Sequence, residues 1–223
     1  MDRLRIGNTD AYAILTERKS GDVRKANDWI FVNQKHSGNV LIVDSLPAQK
    51  LPLENIYTVD NYDELTIPAD AIVSASFSKP IGVFGADCGL VGLASREGVV
   101  GVIHVGWRGL LTEIIHTTVS AMRLLLATEI FAIIGPCIHS ECYEFSPLLA
   151  EEISSKIGHN VGSLTKEGKA ALDLPLAITK LLEKEGVMVA SGPSLCTACD
   201  DRWFSHRQRS ETLRHGLGVT LLK

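Results

Sequence analysis

The sequence predicts an α+β fold built on antiparallel or mixed sheets. Six short runs rich in β-branched residues occupy the first half of the chain, and Gly, Asn, Asp and Pro separate them, as is typical of strands. The intervals between these runs are too short for crossover helices, which favours antiparallel or mixed pairing over a doubly wound parallel sheet. Helical periodicity begins only after these runs. No linker or internal repeat interrupts the order, so we expect residues 1–223 to form one domain.

Each predicted strand is a short apolar run that ends at turn-forming residues. In chain order the predicted strands are residues 28–34, 39–44, 69–77, 81–85, 89–95, 98–105, 131–135 and 217–222.

Three helices are predicted between the later strands. Apolar residues follow three- and four-residue steps over residues 110–127, which indicates an amphipathic helix. A second helix starts at Ser146, with Pro147 in its first turn and Gly158 after its end. A third covers residues 175–185 and stops before a glycine.

Composition excludes several classes of protein. The chain is 45% hydrophobic and 22% charged with a net charge of −4, so disorder and binding to a nucleic-acid backbone are not expected. No apolar run approaches the roughly 18–20 residues of a membrane span. The charged N-terminus lacks the apolar segment of a secretory signal, so we expect a cytoplasmic protein. Five cysteines, an odd number, argue for thiols that are buried, metal-bound or catalytic rather than a disulfide framework.

Three turn motifs carry candidate metal ligands. His36 lies in NQKHSG, Cys88 in GADCG and His104 in HVGWRG, and each motif follows a predicted strand. Alone, each residue is also consistent with an ordinary loop or core position. Together, two imidazoles and one thiolate form a three-ligand zinc set that leaves a fourth position open for water. The spacings match no zinc-finger pattern, so the residues alone do not decide between these interpretations.

Five motifs in order resemble the YfiH-like laccase-domain family. The chain carries ADC, HVGWRG, GPCIHSECYEF, LDLP and FSHR, where the family usually has T-A-D-C, H-A-G-W-R-G, G-P-x-I-G-x-C-C-Y-E-V and F-F-S-x-R-R. The resemblance covers about residues 30–222. It departs from the family pattern at Ser37, at Gly85, at residues 139–141 and at Gln208.

The resemblance implies a zinc-dependent purine nucleoside enzyme. The family's zinc ligands fall on His36, Cys88 and His104 of this chain. The implied fold packs the strands between helices in α/β/β/α-like layers. The implied reactions are phosphorolysis of adenosine, inosine and methylthioadenosine, and deamination of adenosine to inosine. The expected partners are therefore purine nucleosides and phosphate, with the chain as a monomer or homodimer.

Four further residues complete the predicted site. A zinc-bound water would ionise near neutral pH, and Cys88, His104, Asp87 and Arg108 form the predicted catalytic set. We place Arg108 and Arg207 on phosphate, because a guanidinium offers paired donors that fit its oxygens. Ser205 is predicted to line the substrate pocket.

Three alternatives remain open from the sequence. A copper-dependent phenol oxidase of the conventional laccase type needs about ten imidazoles, often in His-x-His pairs. The chain has seven histidines and no His-x-His, so at most a single Cu²⁺ would replace Zn²⁺ in vitro. A metal-free hydrolase would use Cys88 as nucleophile and His104 as base. A structural zinc or redox module would use the remaining cysteines, Cys137, Cys142, Cys196 and Cys199.

Overall fold

The computed structural model describes residues 2–43, 54–59, 67–76, 79–192 and 195–221. The strands are β1 Asp2–Arg5, β2 Ala11–Thr16, β3 Ile30–Phe31, β4 Val40–Val43, β5 Ile56–Val59, β6 Ala71–Ser74, β7 Ile81–Gly85, β8 Gly89–Ser95, β9 Val100–Val105, β10 Ile130–Ile134, β11 Gly162–Leu164, β12 Ala170–Leu172, β13 Met188–Ser191 and β14 His215–Leu221. The helices are α1 Trp107–Leu111, α2 Ile114–Leu124, α3 Pro147–Ile157, α4 Leu174–Lys184 and α5 His206–Arg209. No helix in these ranges is long and apolar enough to cross a membrane.

Two large sheets and one hairpin form the architecture. The seven-stranded sheet has the order β13-β10-β8-β9-β6-β4-β5, and the five-stranded sheet has the order β1-β2-β14-β7-β3. Both are mixed: β4 runs parallel to β5 and β6, and β3 runs parallel to β7, whereas β8, β9 and β14 pair antiparallel with their neighbours. The prediction of an α+β fold with mixed sheets is confirmed.

The central strands of the seven-stranded sheet are buried on both faces. Leu41, Ile72 and Leu90 point toward the five-stranded sheet, where they pack with Val83 and Leu217. Their neighbours along the same strands point the other way, against α2 and α4. Because both faces are covered, these strands read as continuous apolar runs rather than as alternating ones. These continuous apolar runs are the pattern from which the strands are predicted.

Several predicted boundaries were wrong. The helix predicted at 110–127 is two helices, α1 and α2, which meet at Glu113 in a left-handed conformation (φ 58°). Periodicity continues across this break because both helices lie against the same sheet. The strand predicted at 28–34 is reduced to β3. Asp44, Phe77 and Leu222, the last residues of three other predicted strands, lie outside the described residues.

Candidate metal centre and its cavity

Three turns bring His36, Cys88 and His104 together. His36 follows β3, Cys88 lies in the turn that passes from β7 in one sheet to β8 in the other, and His104 lies near the end of β9. One ligand atom from each residue lies within 4.8 Å of the other two. The Cys88 Sγ is 3.9 Å from the His36 Nε2, and the two imidazole centroids are 4.8 Å apart. We call these three residues the His–Cys–His triad.

Buried Asp70 positions both histidines of the triad. Its Oδ1 lies 2.8 Å from the His104 Nδ1, which leaves the His104 Nε2 for a metal. The same carboxylate accepts the backbone N–H groups of Lys35, His36 and Ser37 at 3.1, 3.0 and 2.6 Å. The Ser37 hydroxyl donates to it at 2.8 Å, so this departure from the family motif adds a hydrogen bond. A carboxylate behind a ligating histidine is the usual support of a zinc site.

Electrostatics favour the ionised thiol of Cys88. Burial would raise the pKa of this thiol, but the neighbouring His104 and His36 lower it to about 6. Burial would lower the pKa of His104, but Cys88 and Asp70 raise it to about 9. For Asp70, burial is outweighed by its hydrogen bonds with His104 and Ser37, and the pKa falls to about 2. The protein therefore supplies a thiolate, the form that binds metal.

Gly106 makes room for the triad. A Cβ at this position would lie 3.1 Å from the His36 Cδ2 and 3.2 Å from the Cys88 Sγ. Such contacts are closer than ordinary van der Waals distances, so a larger residue would displace the ligands. This explains the first glycine of HVGWRG in physical terms.

Asp87 fixes the turn that carries Cys88. Both of its carboxylate oxygens have donors: Oδ1 accepts the Thr197 hydroxyl at 2.7 Å, and Oδ2 accepts the Arg207 backbone N–H at 2.6 Å. These bonds hold Asp87 at φ 99°, a conformation that is strained for a residue with a Cβ. Asp87 thus joins the Cys88 turn to the C-terminal loop and orients the start of α5.

Ser205 caps the first turn of α5. Its side chain is fully buried, and its hydroxyl caps α5 by accepting the Gln208 N–H at 3.2 Å. Its backbone N–H donates to the Glu211 carboxylate at 2.8 Å. Ser205 therefore supports the helix that carries Arg207, and its predicted contact with substrate stays a prediction.

The triad opens into a cavity of about 560 Å³ that is rich in arginine and aromatic rings. The lining includes four guanidinium groups, from Arg24, Arg108, Arg207 and Arg214. Three aromatic residues complete much of the wall, namely Phe84, Trp107 and Tyr143. A site of this size and mixed lining fits a small polar ligand with an anionic part.

The four arginines differ in how they are held. The exposed Arg108 guanidinium lies 4.2 Å from the Trp107 ring centroid and forms no ion pair within the described chain. Arg207 donates to the Glu144 carbonyl at 2.8 Å and lies 4.9 Å from the Tyr143 ring. Both were predicted to bind phosphate, and both line the cavity.

Two cavity arginines were missed by the sequence analysis. Arg24 pairs with Asp22 at 2.6 Å, and Arg214 donates to the Glu211 carbonyl at 3.0 Å. Burial, followed by the charge of Arg24, lowers the pKa of Arg214. No local motif marks either residue, because the fold brings them together from distant segments: the Val23 N–H donates to the Arg214 carbonyl at 3.1 Å.

Comparison with known proteins places this architecture in a family. A family described as multi-copper polyphenol oxidoreductase laccase matches residues 12–222. The chain belongs to this family. It is 28% identical over 209 residues to a purine nucleoside phosphorylase of Clostridium acetobutylicum, covering 88% of this chain and 80% of the relative.

Two further sequence relatives and one solved structure agree with this assignment. A Xylella fastidiosa purine nucleoside phosphorylase is 30% identical over 223 residues, covering 93% of this chain and 80% of the relative. A protein of an unknown prokaryote named adenosine deaminase RL5 is 29% identical over 198 residues, covering 82% of this chain and 70% of the relative. The crystal structure of a Neisseria meningitidis protein of family DUF152 superposes with a TM-score of 0.78 at 20% identity, covering 100% of both chains, and shows the same fold.

Proposed function

We propose that this chain is a zinc-dependent purine nucleoside phosphorylase that also deaminates adenosine. The observation that carries the proposal is the His–Cys–His triad at one end of a cavity lined by four arginines and three aromatic residues. Relatives at about 30% identity that are named purine nucleoside phosphorylase support the substrate class. One relative named adenosine deaminase supports the second reaction.

The donor set of the triad suits zinc. Two imidazoles and a thiolate within 4.8 Å are typical ligands of a catalytic zinc ion, which keeps one position open. His104 has its Nδ1 engaged by Asp70, so its orientation is fixed before any metal binds. When bound, zinc would supply a Lewis acid that lowers the pKa of water or polarises a substrate oxygen.

The arginines fit the phosphate that phosphorolysis consumes. In that reaction a phosphate oxygen bonds to C1′ of the ribose while the bond from C1′ to the purine nitrogen breaks. Arg108 carries no competing ion pair within the described residues, so its donors are available to phosphate oxygens. Arg214 is partly buried and lines the same cavity, where its positive charge favours the anion further.

The aromatic wall fits the purine. The centroid of the Phe145 ring lies 5.9 Å from that of Trp107 and 5.4 Å from that of Tyr143. Phe145 therefore supports both of the other rings. Trp107 and Tyr143 also face the cavity, where a planar base gains from offset or edge-to-face contact with them.

Oxidation of phenols by a four-copper cluster fits the donors poorly. Such a cluster needs about ten imidazoles, and the chain has seven histidines. Of the histidines in the described residues, only His36 and His104 belong to a group of potential metal ligands. A single copper ion in the triad is therefore the most that this alternative allows.

The test is elemental analysis combined with adenosine turnover, with and without phosphate. We expect zinc in the purified protein, adenine only when phosphate is present, and inosine in either case. His104→Ala should abolish both reactions and remove the zinc held by the triad. His116→Ala is the matched control, because His116 lies exposed on α2 and pairs with Glu185. Full turnover by His104→Ala would overturn the proposal. Copper content together with phenol oxidation would favour the alternative.

A further inference from the structure

A second group of metal-binding side chains lies beside the cavity wall. The carboxylate of Glu141 and the thiols of Cys142, Cys196 and Cys199 each place a ligand atom within 4.8 Å of the others. The Cys142 and Cys199 sulfurs are 3.3 Å apart. We call these four residues the thiol cluster. It shares no residue with the His–Cys–His triad.

We propose that the thiol cluster binds a structural zinc ion. Three sulfurs and one carboxylate oxygen complete the four positions of a tetrahedral zinc site, so no position remains open for a substrate. With Zn–S bonds of about 2.3 Å, tetrahedral geometry places ligand sulfurs about 3.8 Å apart. The cluster needs only small side-chain shifts to reach that spacing.

The backbone around Cys196 is arranged to support a metal-bound thiolate. The His139 N–H donates to the Cys196 Sγ at 3.3 Å. The Cys199 and Asp200 N–H groups donate to the Cys196 carbonyl at 3.1 and 3.0 Å, which folds residues 196–199 into one tight turn. The turn therefore brings the Cys196 and Cys199 sulfurs to the same side, within 4.8 Å of each other. Hydrogen bonds to ligating sulfur are a common outer support of metal–thiolate sites.

The charges of the thiol cluster call for a cation. Zinc binds cysteine as the thiolate, so a filled site would bring together three thiolates and the Glu141 carboxylate. Lys166 places its ammonium 3.5 Å from the Cys199 Sγ, which compensates for one negative charge. A divalent cation bound at the centre would compensate for the others.

Cys137 is not part of this site. The sequence grouped it with the other three cysteines, but the structure buries its side chain in the core and places Glu141 at the fourth position. Burial raises the pKa of the Cys137 thiol well above its usual range. Cys137 therefore serves as a control residue.

A metal in the thiol cluster would fasten two segments of the cavity wall. It would join residues 141–142 to residues 196–199. Tyr143 directly follows the first segment and lines the cavity. Thr197 lies within the second and donates to Asp87, which also accepts the backbone N–H of Arg207. The site would thus hold the positions of a wall aromatic and a cavity arginine without contacting substrate.

The test measures zinc content in variants that separate the two sites. We expect about two zinc ions per wild-type chain purified under reducing conditions. His104→Ala should retain about one, and His104→Ala combined with Cys142→Ser and Cys199→Ser should retain none. Cys142→Ser with Cys199→Ser alone should lose one ion, and Cys137→Ala should lose neither. Circular dichroism confirms that each variant is folded.

Two results would overturn this proposal. One is equal zinc content in His104→Ala with and without the two serine substitutions. The other is an intact mass, after alkylation without reduction, that shows Cys142 and Cys199 joined as a disulfide in protein kept under reducing conditions. Cobalt substitution gives an independent readout. In the His104→Ala background, thiolate-to-cobalt absorption should be present, and it should disappear in the Cys142→Ser, Cys199→Ser variant. Because this background lacks the triad, the result does not depend on the proposed enzymatic function.

Discussion

Asp70→Asn should loosen His104 and the turn that carries His36 at the same time. Five donors converge on the two oxygens of Asp70: the backbone N–H groups of Lys35, His36 and Ser37, the Ser37 hydroxyl and the His104 ring. Asparagine keeps one acceptor oxygen and replaces the other with an amide that can only donate. If the amide takes the Oδ1 position, the His36 N–H loses its acceptor, and if it takes the Oδ2 position, the Lys35 and Ser37 N–H groups lose theirs.

The magnitude follows from that count. A fully buried donor without a partner costs about 1–3 kcal/mol, and these N–H groups are partly buried, so we expect the free energy of unfolding to fall by about 1–3 kcal/mol in total. The loss of a carboxylate behind a ligating histidine reduces metal affinity by about 10–100-fold. The lower free energy of unfolding should be measurable even in metal-free protein, because the backbone hydrogen bonds from residues 35–37 to Asp70 do not depend on the metal.

Denaturant unfolding of metal-free protein and competition with a zinc chelator test the two parts separately. Asp173→Asn is the matched control, since Asp173 caps α4 through the Leu176 N–H at 3.0 Å and asparagine caps a helix equally well. If Asp70→Asn unfolds within about 1 kcal/mol of the wild type and binds zinc unchanged, Asp70 does not organise this site.

Three further predictions concern the cavity and its surroundings. Arg108→Lys should reduce phosphorolysis about tenfold or more and leave deamination nearly unchanged in steady-state assays, because lysine lacks the paired donors for phosphate; equal losses would refute this role. Gly106→Ala should weaken zinc binding in chelator competition, because its Cβ would lie 3.1 Å from the His36 ring, and unchanged affinity would show that the ring can move aside. Buried His215 has its pKa lowered to about 4 by burial, so protonation favours the unfolded chain. Stability should fall as the pH drops from about 6.5 to 4, by about 3 kcal/mol in denaturant titrations, and His215→Asn should reduce that dependence.

Local sequence patterns predicted the strands whose burial on both faces requires a continuous apolar run. Strands β4 and β6 to β9 were found because their buried faces require unbroken apolar runs. Strands β5 and β13 were missed, because they lie at the two edges of the seven-stranded sheet and are partly exposed, as at Tyr57 and Met188. The break at Glu113 was also missed, since no glycine or proline marks it.

The candidate site also contains residues that local motifs predict and one residue that they do not. His36, Cys88 and His104 stand in turn motifs that can be found in the sequence, and the structure brings them together. Asp70 was missed because its role depends on the parallel pairing of β4 with β6, which places the residue before β6 beside the turn at 35–37. That contact joins segments 34 residues apart, and no local pattern encodes it.

Different charged groups of the site would balance the metal ion and attract phosphate. When the triad holds a divalent cation, the thiolate of Cys88 and the carboxylate of Asp70 supply two negative charges to balance it. Attraction for a phosphate anion must then come from the arginines, of which Arg24 is already paired with Asp22. Arg108, which has no ion pair within the described chain, therefore contributes most to discrimination between phosphate-dependent and phosphate-independent reactions. The two proposed activities would share one cavity, yet they should respond differently to a single substitution there.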